Sequence, residues 1–145
     1  MTIQKDALAE IIAHARQALP AECCGLLVGT GDAILEAVRI RNLADSPGRY
    51  LLDPKEHIDA RRAARQRGLD VVGFYHSHPR SAPEPSSTDL AEASYPDHAY
   101  LIVGLGEDAA SGEAHARLFR LAANGFVSVP LVVVDNERRG TDDRR

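Results

Sequence analysis

The chain of 145 residues carries 17 Lys and Arg against 21 Asp and Glu, a formal net charge of −4, with 44% apolar residues. That length suits one domain with its own core, and the acidic balance and absence of Trp argue against the basic faces and stacking platforms of nucleic-acid binders. No stretch is apolar for long enough to span a membrane, and the first ten residues, with Lys5, Asp6 and Glu10, do not compose a signal peptide.

Leu8, Ile11, Ile12, Ala15 and Leu19 recur at helical spacing, and Pro20 stops the pattern. Cys23 to Thr30 reads as a buried strand. Its two cysteines are neighbours, too close for an unstrained disulfide, so free thiols in a reducing compartment are expected, and hence the cytoplasm. After the turn Thr30-Gly31-Asp32, Ile34 to Ile40 alternates as a second strand, and Asn42 to Tyr50 is a loop. Asp53-Pro54-Lys55-Glu56 predicts a helix start with Asp as cap, Pro in the first turn and Glu placed to complete a capping box; Gly68 ends that helix.

Val71 to His78 is an apolar run leading into two histidines, read as a central strand. Pro79 to Pro85 holds three prolines and is irregular, and Ser86 to Ser94 reads as a short helix capped by Ser86. Tyr100 to Leu105 is a further buried strand. Ala114 to Leu121 and Phe126 to Val134 read as a hairpin joined through Asn124-Gly125. The pattern predicts one mixed α/β domain over residues 1–135 and a polar, disordered tail over 136–145.

The chemistry concentrates in His76-Ser77-His78-Pro79 and in Ser86 and Asp89. Alternate strand residues share a face, so both imidazoles point the same way, and Pro79 leaves them at the strand's end. Asp89 falls in the first turn of the following helix, three residues after Ser86. Two neutral imidazoles and a carboxylate are the donor set of a catalytic zinc site, which keeps its fourth position open. Zinc lowers the pKa of its water to about 7, and a carboxylate must then relay a proton to the leaving amine. Glu22, where the first helix gives way to the Cys23 strand, is the candidate, and Ser86 is placed to donate to an oxyanion.

His76-Ser77-His78, seven residues, Ser86, two residues and Asp89, with Glu22 upstream, resembles the JAMM (MPN-plus) metallopeptidase motif at every position. The flanking segments Glu22 to Gly29, Gly73 to Pro79 and Pro85 to Leu90 look like the prokaryotic branch. The resemblance implies a JAB/MPN fold, similar to that of cytidine deaminases: a curved mixed β-sheet flanked by helices. It implies Zn2+ on His76, His78 and Asp89, Glu22 as acid/base and Ser86 stabilising the tetrahedral intermediate. It also implies cleavage of a peptide or isopeptide bond after the C-terminal glycine of a ubiquitin-like or sulfur-carrier protein of the ThiS/MoaD type, with a Gly-Gly tail.

The alternative function is a non-catalytic MPN-like scaffold that binds a ubiquitin-like partner. A zinc deaminase would need His-x-Glu and a later Pro-Cys-x-x-Cys, and neither occurs. His14, His57, His98 and His115 are scattered and read as ordinary surface or core histidines. Cys24 reads as a small buried residue, because no base accompanies it as it would a nucleophile. Arg61, Arg62, Arg65 and Arg67 read as a solvated helix face. Oligomeric state is not encoded in any of these patterns.

Overall fold

The computed structural model describes residues 1–44, 48–106 and 112–136. In chain order the elements are β1 (Thr2–Gln4), α1 (Lys5–Gln17), β2 (Cys24–Thr30), β3 (Ala33–Ile40), α2 (Pro54–Gln66), β4 (Asp70–His78), α3 (Ser87–Glu92), β5 (Ala99–Gly104), β6 (His115–Ala122), β7 (Gly125–Val129) and β8 (Val132–Val134). The predicted tail at 136–145 lies, apart from Asn136, outside the described residues. Among the described residues, no helix is long and apolar enough to cross a membrane.

The eight strands form one mixed sheet in the order β7-β6-β5-β4-β2-β3-β1-β8. β7 and β8 are its two outermost strands, although only Pro130 and Leu131 separate them in sequence. So short a link can join opposite edges only if the sheet curls until they approach one another. The single strand predicted from Phe126 to Val134 is therefore two: Pro130 has no N–H to continue a ladder, and β8 crosses to pair in parallel with β1. β1 itself escaped the sequence reading because three residues are too few to display a period. It is held by parallel pairing to β3 on one side and β8 on the other.

Alternation along the central strands sorts side chains between two apolar layers. Leu27, Tyr75, Leu101 and Val103 pack with Ile11 and Ala15 of α1. Leu26, Val28, Phe74 and Tyr100 pack with Ala64 of α2. Neighbours such as Leu26 and Leu27, or Phe74 and Tyr75, thus serve opposite faces, as a period of two requires. α1 buries Ala7, Ile11 and Ala15, one stripe at four-residue spacing.

The caps follow the sequence with one difference. The Asp53 carboxylate accepts from the N–H groups of Lys55 and Glu56 at the start of α2. Glu56 does not complete a capping box there, because its Oε1 accepts from the backbone N–H of Arg41 at 2.7 Å, while Asp53 N–H donates to the Arg41 carbonyl at 2.9 Å. The first turn of α2 is thereby tied to the end of β3. Gly68, with φ of +75°, takes the left-handed turn that stops the helix.

Candidate metal centre

β4 lies between β2 and β5, antiparallel to the first and parallel to the second. His76 sits opposite Cys24 in β2, and His78 opposite Gly104, the last residue of β5. Both imidazoles therefore emerge on one face at the rim of the sheet. Ser77, on the other face, accepts the Cys23 N–H at 2.8 Å through its Oγ, and its own N–H donates to the Cys23 carbonyl at 3.2 Å. This exchange extends the β2–β4 contact by one residue and fixes the backbone next to Glu22.

Asp89 reaches the histidines from the first turn of α3. Ser86 caps that helix, its Oγ accepting from Asp89 N–H at 3.0 Å, while Asp89 Oδ2 accepts from Ser86 N–H at 2.9 Å. This complete capping box fixes the carboxylate. Its Oδ1 lies 3.1 Å from His76 Nε2 and its Oδ2 lies 3.0 Å from His78 Nε2. The two Nε2 atoms are 3.3 Å apart. All three residues are buried, at 2%, 7% and 6% exposure for His76, His78 and Asp89.

Bonds of about 2.0–2.1 Å at tetrahedral angles place ligand atoms about 3.3 Å apart. Each separation is close to that value, although Asp89 turns a different oxygen to each histidine, and the donor atoms of the three residues all lie within 4.8 Å of one another. The tautomers favour the same reading. His78 Nδ1 lies 2.9 Å from the Ala82 carbonyl, an acceptor only, so Nδ1 carries the proton. In the neutral ring Nε2 is then a bare lone pair facing a carboxylate oxygen, an arrangement that calls for a cation between them. The residues present fit a zinc ion. Burial works against the charged forms of all three groups. For His76 it prevails and the pKa falls. For His78 the acceptor oxygens of the Asp89 carboxylate and the Ala82 carbonyl outweigh it and the pKa rises. The two histidines likewise outweigh burial at Asp89 and hold its carboxyl far below the usual range.

The open side of the centre is a cavity of about 620 Å³ whose walls include Glu22, His78, Ser86, Pro20 and Arg80. Glu22 is buried, at 6% exposure. Of the five predicted site residues, His76, His78 and Asp89 converge, and Glu22 and Ser86 line the cavity that His78 also walls. His14 hydrogen-bonds the Tyr75 hydroxyl through Nδ1 at 2.7 Å. His57 and His98 lie around Arg61, which approaches their Nε2 atoms at 3.1 and 3.3 Å. Arg61 thus turns inward, apart from the solvated face predicted for it, and Arg67 pairs with Glu36 at 2.7 Å.

Tyr50 was not among the residues expected here. Its ring stacks on His76 with centroids 4.5 Å apart and planes 22° apart. Burial, reinforced by Asp89, raises its hydroxyl pKa and keeps it protonated. Its only sequence signal was an aromatic residue closing a polar loop. Cys24 is fully buried and donates from Sγ to the Ile40 carbonyl at 3.5 Å. Burial pushes the Cys23 thiol up to about 11 and the Cys24 thiol up to about 12.

A model of the prokaryotic homologues of the JAB domain matches residues 4–121. A desampylase of Haloferax volcanii is 43% identical over 109 residues, covering 70% of this chain and 78% of that protein. A CysO-cysteine peptidase of Mycobacterium tuberculosis is 30% identical over 137 residues, covering 93% and 92%. The solution structure of a protein from Desulfitobacterium hafniense superposes with a TM-score of 0.85 at 32% identity over 96% of both chains. A JAB1/MPN domain protein of Archaeoglobus fulgidus shares the fold, with a TM-score of 0.63 at 24% identity over 93% of this chain and all of that one.

Proposed function

The chain belongs to the prokaryotic branch of the JAB domain family, and from that membership we propose that residues 1–135 form a zinc peptidase acting on conjugates of a ubiquitin-like protein. The two curated relatives carry the names of conjugate-cleaving enzymes, which supports that substrate class. The finer reading is a cytoplasmic enzyme whose partner is a sulfur carrier of the ThiS/MoaD type, cut after a Gly-Gly tail. The observation that carries the reading is the convergence of His76, His78 and Asp89 at ligand spacing beside a cavity walled by Glu22 and Ser86.

His76 Nε2, His78 Nε2 and an Asp89 oxygen would hold the ion. Bound there, zinc would supply a Lewis acid that polarises a carbonyl and acidifies water. The Glu22 carboxylate takes a proton from the attacking water and delivers it to the departing amine, so one group serves as base and then acid. The Ser86 oxygen accepts from Asp89 N–H, which leaves its own O–H to donate to the oxyanion formed on attack. The capping role of Ser86 and its catalytic role are compatible, since the cap is what aims the hydroxyl.

The test is cleavage of a Gly-Gly-tailed carrier conjugate, read by intact mass. Glu22→Gln removes cleavage while metal content and fold persist, and chelation removes it reversibly. Full cleavage by metal-free protein would refute the assignment.

A further inference from the structure

The orientation of Glu22 is set by the peptide group that joins it to Cys23, and both ends of that group are held by side chains from elsewhere in the fold. The Glu22 carbonyl accepts from Asn42 Nδ2 at 3.0 Å. On the other end of the same plane, the Cys23 N–H donates to Ser77 Oγ at 2.8 Å. A peptide group is rigid, so two such bonds fix its rotation and with it the direction in which the Glu22 side chain leaves the backbone.

Asn42 does more than hold that carbonyl. Its Oδ1 accepts from Ala44 N–H and Leu51 N–H, both at 2.9 Å. Its Nδ2 also approaches the Arg49 carbonyl at 3.4 Å. Two N–H groups on one side of the amide and two carbonyls on the other leave its orientation unambiguous, because a flip would oppose like to like. The residues tied by Oδ1 and Nδ2 bracket Tyr50, whose ring lies on His76. A half-buried loop residue thus links the backbone of Glu22 to the segment that covers a histidine of the metal centre.

We infer that Asn42, with Ser77 as its counterpart across the peptide plane, is a positioning residue that aims Glu22 at the reacting water. The inference rests on the reading of Glu22 as acid/base. It adds that a side chain outside both the donor set and the cavity wall governs turnover, because a displacement of about 1 Å in a catalytic group lowers rates by about a hundred-fold.

Asn42→Asp separates the two halves of the amide. It keeps the oxygen that organises the loop and removes the donor to the Glu22 carbonyl. The expected result, with the conjugate as substrate and metal content measured on the same sample, is a fall in kcat of about ten- to a hundred-fold, with KM and bound metal within about two-fold of the parent. Ser77→Ala, which releases the other end of the plane, shows the same kcat signature and provides the test if Asn42→Asp does not fold.

Unchanged kcat in folded Asn42→Asp and Ser77→Ala, with Glu22→Gln inactive, would overturn the inference and leave the acid/base assignment standing. A fall in kcat proportional to lost metal would also overturn it. An active Glu22→Gln protein would instead remove the assignment beneath it.

Discussion

Gly104→Ala tests whether the metal centre depends on the Ala82 carbonyl that holds the His78 ring. Gly104 ends β5 opposite His78, and the irregular segment after β4 folds directly onto its Cα. A Cβ there would lie 2.6 Å from Pro83 N, 2.6 Å from Ser81 O and 2.7 Å from the Ala82 carbonyl carbon, where ordinary contact begins at 3.4 Å. All three are backbone atoms, so no rotamer relieves the clash, and the segment must retreat by about 0.8 Å. The Ala82 carbonyl rides on that segment and holds His78 Nδ1 at 2.9 Å. A retreat of that size stretches the contact to about 3.7 Å, beyond hydrogen-bonding range.

His78 then loses the group that fixes its tautomer and ring plane. Loss of such an outer partner lowers metal affinity by about 10- to 100-fold, or about 1.4–2.7 kcal/mol. Overpacking adds about 1–3 kcal/mol of lost stability. Competition with a chromogenic zinc chelator measures the first effect and denaturant unfolding of the metal-free protein the second. Metal affinity equal to the parent's in folded Gly104→Ala would refute the chain of contacts from β5 through Ala82 to His78.

Asp89→Asn retains the shape of the carboxylate but removes the charge shared by His76 and His78; the protein should purify with less than about a tenth of the parent's bound metal, by elemental analysis, and should not cleave. Its helix should survive, since the Ser86 side chain still caps α3, and the far-ultraviolet circular dichroism should match. Cys23 and Cys24, buried and with thiol pKa values pushed up to about 11 and about 12, should resist alkylation by iodoacetamide at pH 7.5. Both should label once the chain is unfolded in guanidinium; fast labelling of the native protein, read by mass, would show that the strand opens.

The donors were legible because each depends on short-range order. A two-residue period places His76 and His78 together, and a capping box places Asp89 relative to Ser86. The residues that set those groups in place were not legible. Asn42 and Tyr50 sit in a loop whose shape comes from contacts across the fold, and Ala82 contributes a carbonyl that every residue type possesses. Ser77 carried a weak signal, as a hydroxyl in an otherwise apolar strand that must find a partner. The break at Pro130 could have been read from the missing N–H, but that β8 joins β1 follows from the curl of the whole sheet.

That curl also bears on how the molecule assembles and comes apart. Thr2 pairs with Val132, so β1 has no complete set of neighbours until nearly the whole chain is present. Closing so long a loop is slow and entropically expensive, which makes the β1–β8 seam a late event in folding. The metal centre lies on β4, three strands away in the sheet order from β1. Fraying at the seam can therefore proceed while the donors stay gathered. Amide exchange would separate two layers of protection: a labile rim at Val132–Val134, and a persistent one along β4 that bound metal deepens.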